Sequence, residues 1–185
     1  MIITSIDERL DLLHIRSGKT EVFVRVYDRY AKEIYRYVSF KVGSTETTED
    51  IVSDVFLRAL EYVADAQRPL VKNLRPFLYQ LARAVVSDFY RDRKPTQQLE
   101  LLEELSADGI HADLAGSASD QAGLQRALAE LPDDQREAVL LKHMEGLSAA
   151  EVGKIMDRSP GAIRVLVHRG LERLREVMGD SVEKS

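Results

Sequence analysis

Apolar residues return every three or four positions along nearly all of this chain, so the pattern predicts helices and offers no convincing strand. A short helix is expected over Ile6 to Ile15, ended by Ser17 and Gly18. Thr20 is then placed to cap a long helix to about Phe40, with Phe23, Val24, Tyr27, Tyr30, Ile34 and Val38 as its inward stripe. After a polar break from Gly43 to Thr48, the run Thr48, Glu49, Asp50 starts another helix with acids at its positive end. Ala64 to Asn73, which contains Pro69, reads as a loop. Asn73 and Pro76 open a further helix that Pro95 ends. Later helices are expected over Asp120 to Glu130, and from Pro132, with Asp133 and Asp134 in its first turn, to Gly146.

The most informative stretch is Leu147 to Arg175. Ser148 followed three residues later by Glu151 forms a capping box, and Leu147 is placed as its apolar staple. Val152, Ile155 and Met156 give that helix an apolar stripe, and Gly153 is small where a second helix would cross closely. Asp157 and Arg158 break the pattern, and Asp tolerates left-handed backbone angles. Ser159 and Pro160 then make an N-cap followed by proline at the first helical position. On the second helix Ile163, Leu166, Val167, Gly170 and Leu174 fall inward. Gly161, Arg164, Val165, His168 and Glu172 point outward, with Arg169 on the flank. A helix-turn-helix showing Arg and His outward suits the major groove, where Arg can bond guanine O6 and N7.

Composition narrows the possibilities. A formal net charge of -5 argues against a protein that coats nucleic acid non-specifically, though it leaves room for local basic faces. With no cysteine there is no disulfide, thiolate zinc site or thiol switch. The first twenty residues mix acids and bases and lack the apolar core of a signal peptide, and no apolar run is long enough to span a membrane. A cytoplasmic protein without membrane insertion is expected. Lys94 to Ala118 breaks the helical pattern and carries Glu100, Glu103, Glu104, Asp108 and Asp113. The expected fold is therefore all-α: two small helical domains, residues 1–94 and 119–185, joined by an acidic linker over 95–118.

Two further surfaces carry possible chemistry. In the helix after Thr48, Asp50, Ser53 and Asp54 stand among Ile51, Val55, Phe56 and Leu57, so acids and apolar groups share a face. Towards the end of the next helix, Arg91, Arg93 and Lys94 lie beside Phe89 and Tyr90, with Arg83 two turns back. Aromatics interleaved with cations suit unpaired bases, although basic residues also favour helix C-termini for dipole reasons. Gly18, Lys19 and Thr20 resemble the end of a phosphate-binding loop, but Leu13 stands where its first glycine is required.

Across nearly the whole chain the order of parts resembles the extracytoplasmic-function (ECF) class of sigma-70 family sigma factors. FVRVYDRYAKEIYRYV, TEDIVSDVFLRALE and FLYQLARAVVSDFYRDRK resemble region 2. The stretch from LAELPDDQREAVLLKHMEG through the helix-turn-helix resembles region 4. The resemblance implies a protein that binds core RNA polymerase and directs promoter-specific initiation. Asp50, Ser53, Asp54, Phe56, Leu57 and Leu60 would dock on the clamp helices of the largest subunit, and region 4 on the flap. Arg83, Ala84, Asp88, Tyr90, Arg91, Arg93 and Lys94 would melt and read the -10 element, with the loop Ala64 to Asn73 capturing a flipped base. Ser159, Gly161, Arg164, Val165, His168 and Arg169 would meet the -35 element. Members often carry Asn where Ala84 stands, Gln where Ser53 stands and an apolar residue where Arg158 stands.

The linker's negative charge suits a path through the polymerase cleft normally taken by nucleic acid. An anti-sigma factor is an expected partner, and with eight residues after Val177 no extra C-terminal domain is expected. The runner-up reading is a helix-turn-helix regulator without sigma activity. A response regulator would need a receiver domain with strands, and an adaptor mimicking these helices would lack the basic, aromatic end of the Phe77 to Arg93 helix. No catalytic residues, metal site or cofactor are expected: His14, His111, His143 and His168 lack ligand spacing, and no nucleophile motif is present.

Overall fold

The computed structural model describes residues 2–91 and 118–182. Among these residues there are eight α-helices and no strand. They separate into two compact units of four helices each. The acidic linker, with Arg93 and Lys94 just before it, lies outside the described residues apart from its last position.

The first unit holds α1 (Ile2–Arg16), α2 (Phe23–Val42), α3 (Thr45–Ala64) and α4 (Leu74–Arg91). Helix α1 begins earlier than its apolar pattern indicates, and the chain turns at Gly18, whose φ of 93° a side chain would resist. Thr20 does not cap α2. Thr20–Val22 form a 3-10 turn that runs straight into the helix, so the turn's own bonds take the donors a cap would satisfy. The stripe on α2 is also rotated from the expected one: Phe23, Val26, Tyr30, Ile34, Tyr37 and Val38 are buried, whereas Val24 is 60% and Tyr27 45% exposed. Residues 23, 26, 30, 34 and 37 follow the helical repeat more closely than a stripe through 24 and 27.

Helix α3 starts three residues before the expected Thr48. Ser44 Oγ accepts from the Thr47 N–H at 3.4 Å, and Thr48 is instead buried inside the first turns, its hydroxyl donating to Ser44 O at 2.7 Å. Ile34, Val38, Val55, Ala59, Leu78 and Ala82 are wholly removed from solvent between α2, α3 and α4. Tyr37 and Tyr79 meet edge-on with ring centres 5.3 Å apart. Each large apolar side chain buried this way stabilises the unit by roughly 1.5–3 kcal/mol before chain entropy is counted. Polar ties fix the rotation of the helices about their axes: Arg75 on α4 meets Glu33 on α2 at 2.7 Å, and Arg25 on α2 meets the buried Asp11 on α1 at 2.6 Å.

The second unit holds α5 (Ala118–Ala129), α6 (Asp133–Val139), α7 (Ala149–Met156) and α8 (Pro160–Val182). After α6 the helix widens over Leu140–Met144 into a π-type turn, in which the Glu145 N–H reaches Leu140 O at 3.1 Å, and Gly146 at φ 66° ends it. The carbonyls at the end of α5 are orphan acceptors. Arg136 on α6 serves them, donating to Leu128, Ala129 and Leu131 carbonyls at 3.0, 3.2 and 3.0 Å. Leu141, Leu147, Val152 and Ile163 form the centre of this unit's core, with no exposed surface.

Candidate nucleic-acid interface

In the second unit the local chemistry delivers a helix with one face bare. The Ser148 hydroxyl accepts from the Glu151 N–H at 3.3 Å while the Glu151 carboxylate accepts from the Ser148 N–H at 2.8 Å, so the capping box starts α7 as its sequence predicts. Asp157 ends α7 in the left-handed region at φ 55°. The Arg158 N–H then returns to Gly153 O at 2.9 Å, and the Ser159 hydroxyl accepts from the Ala162 N–H at 3.1 Å to start α8.

Gly153 has a different reason from the one its sequence suggests. A Cβ there would stand 2.6 Å from the Arg158 carbonyl, so the glycine makes room for the turn's own backbone. Close helix crossing belongs to Gly170, where a Cβ would meet Val139 Cγ2 at 2.7 Å on α6. Arg158 reaches Asp134 in the first turn of α6 at 3.1 Å.

With Ile163, Gly170 and Leu174 buried, the opposite face of α8 is open. Ser159, Gly161, Arg164, Val165, His168 and Arg169 are all exposed. Val165 is 48% exposed, an apolar contact group beside Arg164. His168 Nδ1 lies 3.2 Å from the Glu172 carboxylate one turn on, and the ring stays largely exposed.

The first unit carries the other two surfaces. Asp50, Ser53 and Leu57 are exposed and Asp54 and Leu60 half-buried, so positions 50, 53, 54, 57 and 60 share the outer face of α3. Phe56 does not belong to that face. It is 4% exposed, packed at 4.8 Å from the Tyr27 ring and 6.3 Å from Phe23, because it follows the inward repeat of Val52, Val55 and Ala59.

On α4, Ala84 and Arg91 are exposed and Arg83, Asp88 and Tyr90 half-buried. The Tyr90 hydroxyl donates to Lys41 O at the end of α2, and its ring packs edge-on against Phe89, so Tyr90 anchors the helix end as well as facing out. Arg58 joins the two helices. It grips Asp54 on its own helix at 3.0 and 2.9 Å and reaches Asp88 on α4 at 3.2 Å, and Arg91 completes the group at 2.8 Å from Asp88. The hydrogen bond from Arg58, with Arg91 beside it, holds the Asp88 carboxyl below its ordinary range.

Residues 26–96 match the sequence model of Sigma-70 region 2, and residues 121–174 that of Sigma-70, region 4. The chain is 31% identical over 183 residues to the ECF RNA polymerase sigma factor SigD of Mycobacterium tuberculosis, covering 91% of this chain and 84% of SigD. It belongs to the ECF sigma factors of the sigma-70 family. BldN of Streptomyces coelicolor, also an ECF RNA polymerase sigma factor, is 30% identical over 168 residues, which are 89% of this chain and 63% of BldN. In fold the sigma factor is similar to RpoE from Bartonella quintana, solved in complex with the anti-sigma factor NepR, at a TM-score of 0.63 and 23% identity, covering 85% of this chain and 96% of that one.

Within the sigma factor, region 2 takes in α2, α3 and α4, and region 4 runs from α5 into α8. The structure places the predicted residues on α3, on α4 and at the start of α8, links the α3 and α4 sets through Arg58 between Asp54 and Asp88, sets Phe56 aside in the core, and describes neither Arg93 nor Lys94. The i, i+4 spacing of Asp54 and Arg58 was readable as a helix pair. Asp88, thirty residues further on, was not readable as its third member. Among the described residues no helix is long and apolar enough to cross a membrane, and no group of three or more His, Asp or Glu residues could hold a metal ion.

Proposed function

We propose that this sigma factor brings core RNA polymerase to its promoters by docking through the outer face of α3, reading the -35 element with α8 and the opened -10 element with α4 and the loop before it. The observation that carries the proposal is the bare face at the start of α8: six residues suited to a base edge or phosphate, all exposed, on and just before a helix whose first turn is capped by the Ser159 hydroxyl. Arg164 is placed for guanine O6 and N7, Val165 for a thymine methyl, and Ser159 with Gly161 for the phosphate that the helix N-terminus attracts. On the outer face of α3, Leu57 is 55% exposed beside Asp50, and this mixture of acid and apolar surface suits a protein partner better than nucleic acid.

The action is recognition, not chemistry on a substrate, and its setting is the cytoplasm. Arg83, Ala84, Asp88, Tyr90 and Arg91 form the -10 side, with Ala84 unable to bond a base edge. That moves discrimination to its neighbours and to the loop. An anti-sigma factor is a further partner, of the kind with which RpoE is solved in complex, and would cover these faces.

Replacing Arg164 and His168 together with Ala tests the groove assignment in run-off transcription with core polymerase. A good bidentate base contact contributes about 1–3 kcal/mol. Promoter use should therefore fall roughly tenfold to a hundredfold, while co-purification with core polymerase is unchanged. Full promoter use by the double variant would overturn the assignment.

A further inference from the structure

The turn that follows α3 is held from outside by an arginine of the N-terminal helix. Arg16, in the last turn of α1, directs Nη2 at two carbonyls of that turn, Asp65 O at 3.1 Å and Arg68 O at 2.6 Å. Its Nε is buried and has no acceptor among the described residues. Leaving the Nε–H buried and unbonded is unfavourable unless the bonds the guanidinium does make are strong, and an arginine placed merely to solubilise the surface would turn to water.

The turn itself is wound tightly about Asp65. The Asp65 backbone N–H ends α3 on Glu61 O, its carboxylate accepts the Gln67 N–H at 2.9 Å and the Arg68 Nε–H at 3.2 Å, and its carbonyl accepts the Arg68 N–H at 3.2 Å. The outcome is a fixed place for the Arg68 side chain, whose guanidinium lies 4.9 Å above the Tyr62 ring, itself 4.8 Å from Phe77 on α4. A cation over an aromatic ring, with a second ring behind it and just over half its surface open at 54%, is a platform on which an unstacked base can sit.

We infer that Arg16 is a positioning residue for -10 reading: by holding both ends of the Asp65–Arg68 turn it sets Arg68 over Tyr62, and so fixes which base the platform accepts. The inference rests on the reading that this loop meets a flipped -10 base, and it brings α1, which lies before the region 2 match, into promoter selection. Arg68 touches the base, and Arg16 acts through Arg68.

Two measurements on the full chain test it. Amide hydrogen exchange in the peptide containing Asp65–Arg68 should be at least about tenfold faster in Arg16→Gln than in the parent, and Arg16→Lys, which keeps the charge and one bond, should recover part of the protection. Run-off transcription with core polymerase, on promoters changed at one -10 base at a time, should show Arg16→Gln losing preference at a single position by about tenfold. Arg68→Ala should lose preference at that same position, and sensitivity to the -35 sequence should persist. Unchanged exchange in both Arg16 variants overturns the inference, and so does an even loss of preference at every -10 position. If the parent itself shows no -10 base preference, the loop reading fails and takes the inference with it. That result is distinguishable because the exchange measurement still reports whether Arg16 holds the turn.

Discussion

Two glycines of the second unit separate a requirement from an accident. At Gly153 a methyl group would collide with the Arg158 carbonyl, and backbone in a three-residue turn has little freedom to retreat. At Gly123 on α5 a Cβ meets nothing within 4 Å. Gly153→Ala should therefore destabilise the unit by about 1–3 kcal/mol through overpacking, whereas Gly123→Ala should stabilise it by about 0.5–1 kcal/mol through helix propensity. Thermal unfolding of the two variants would check both signs. Smallness at position 153 was legible in the chain, but its cause was not, because a sequence shows that a side chain is absent without showing what fills its space. Phe56 misled for the same reason: it stands beside Leu57, and only the phase of the helix tells the buried ring from the exposed one.

At the scale of whole helices, the group formed by Asp54, Arg58, Asp88 and Arg91 joins α3 to α4 alongside apolar packing. Asp88 is held below its ordinary value of 3.8 chiefly by the hydrogen bond from Arg58. A carboxyl depressed on folding adds stability that is fully present above the unfolded value and is lost as pH falls through the folded one. The parent should thus be more stable than Asp88→Asn near neutral pH, and the gap should close below about pH 4, which denaturant midpoints measured across that range would show. The group is open to solvent, so the gap is small and also shrinks in high salt. An unchanging gap down to pH 2 would mean that Asn breaks packing instead of an ion pair. Helix existence was readable here because apolar repeats are long. Helix starts were less so: Ser44 and Thr48 both suit an N-cap, and their burial, invisible in the chain, decides between them.

For the whole molecule, the division into two helical units was readable because each half repeats the helical period around its own apolar residues, and each has its own core. Which surface meets which partner was less readable, since an acidic, apolar stripe on a helix is equally a solvated face until packing shows which side is buried. With Val52, Val55, Phe56 and Ala59 turned in, Asp50 and Leu57 lie on the side that no other element of the unit covers to full burial. Neither contributes to the core, so Asp50→Lys with Leu57→Lys should change stability within about 0.5 kcal/mol and leave the circular dichroism of the chain intact. At a docking face the same change reverses one charge and replaces an apolar contact with a buried cation, a combination that costs several kcal/mol at a protein interface. Co-purification with core polymerase should therefore be lost while the fold persists, and transcription should stop at every promoter alike, in contrast to the promoter-specific losses expected from Arg164 and His168. A doubly substituted chain that still elutes with core polymerase would move the docking surface off α3, and the exposed Val24 and Tyr27 on α2 would be the next residues to replace.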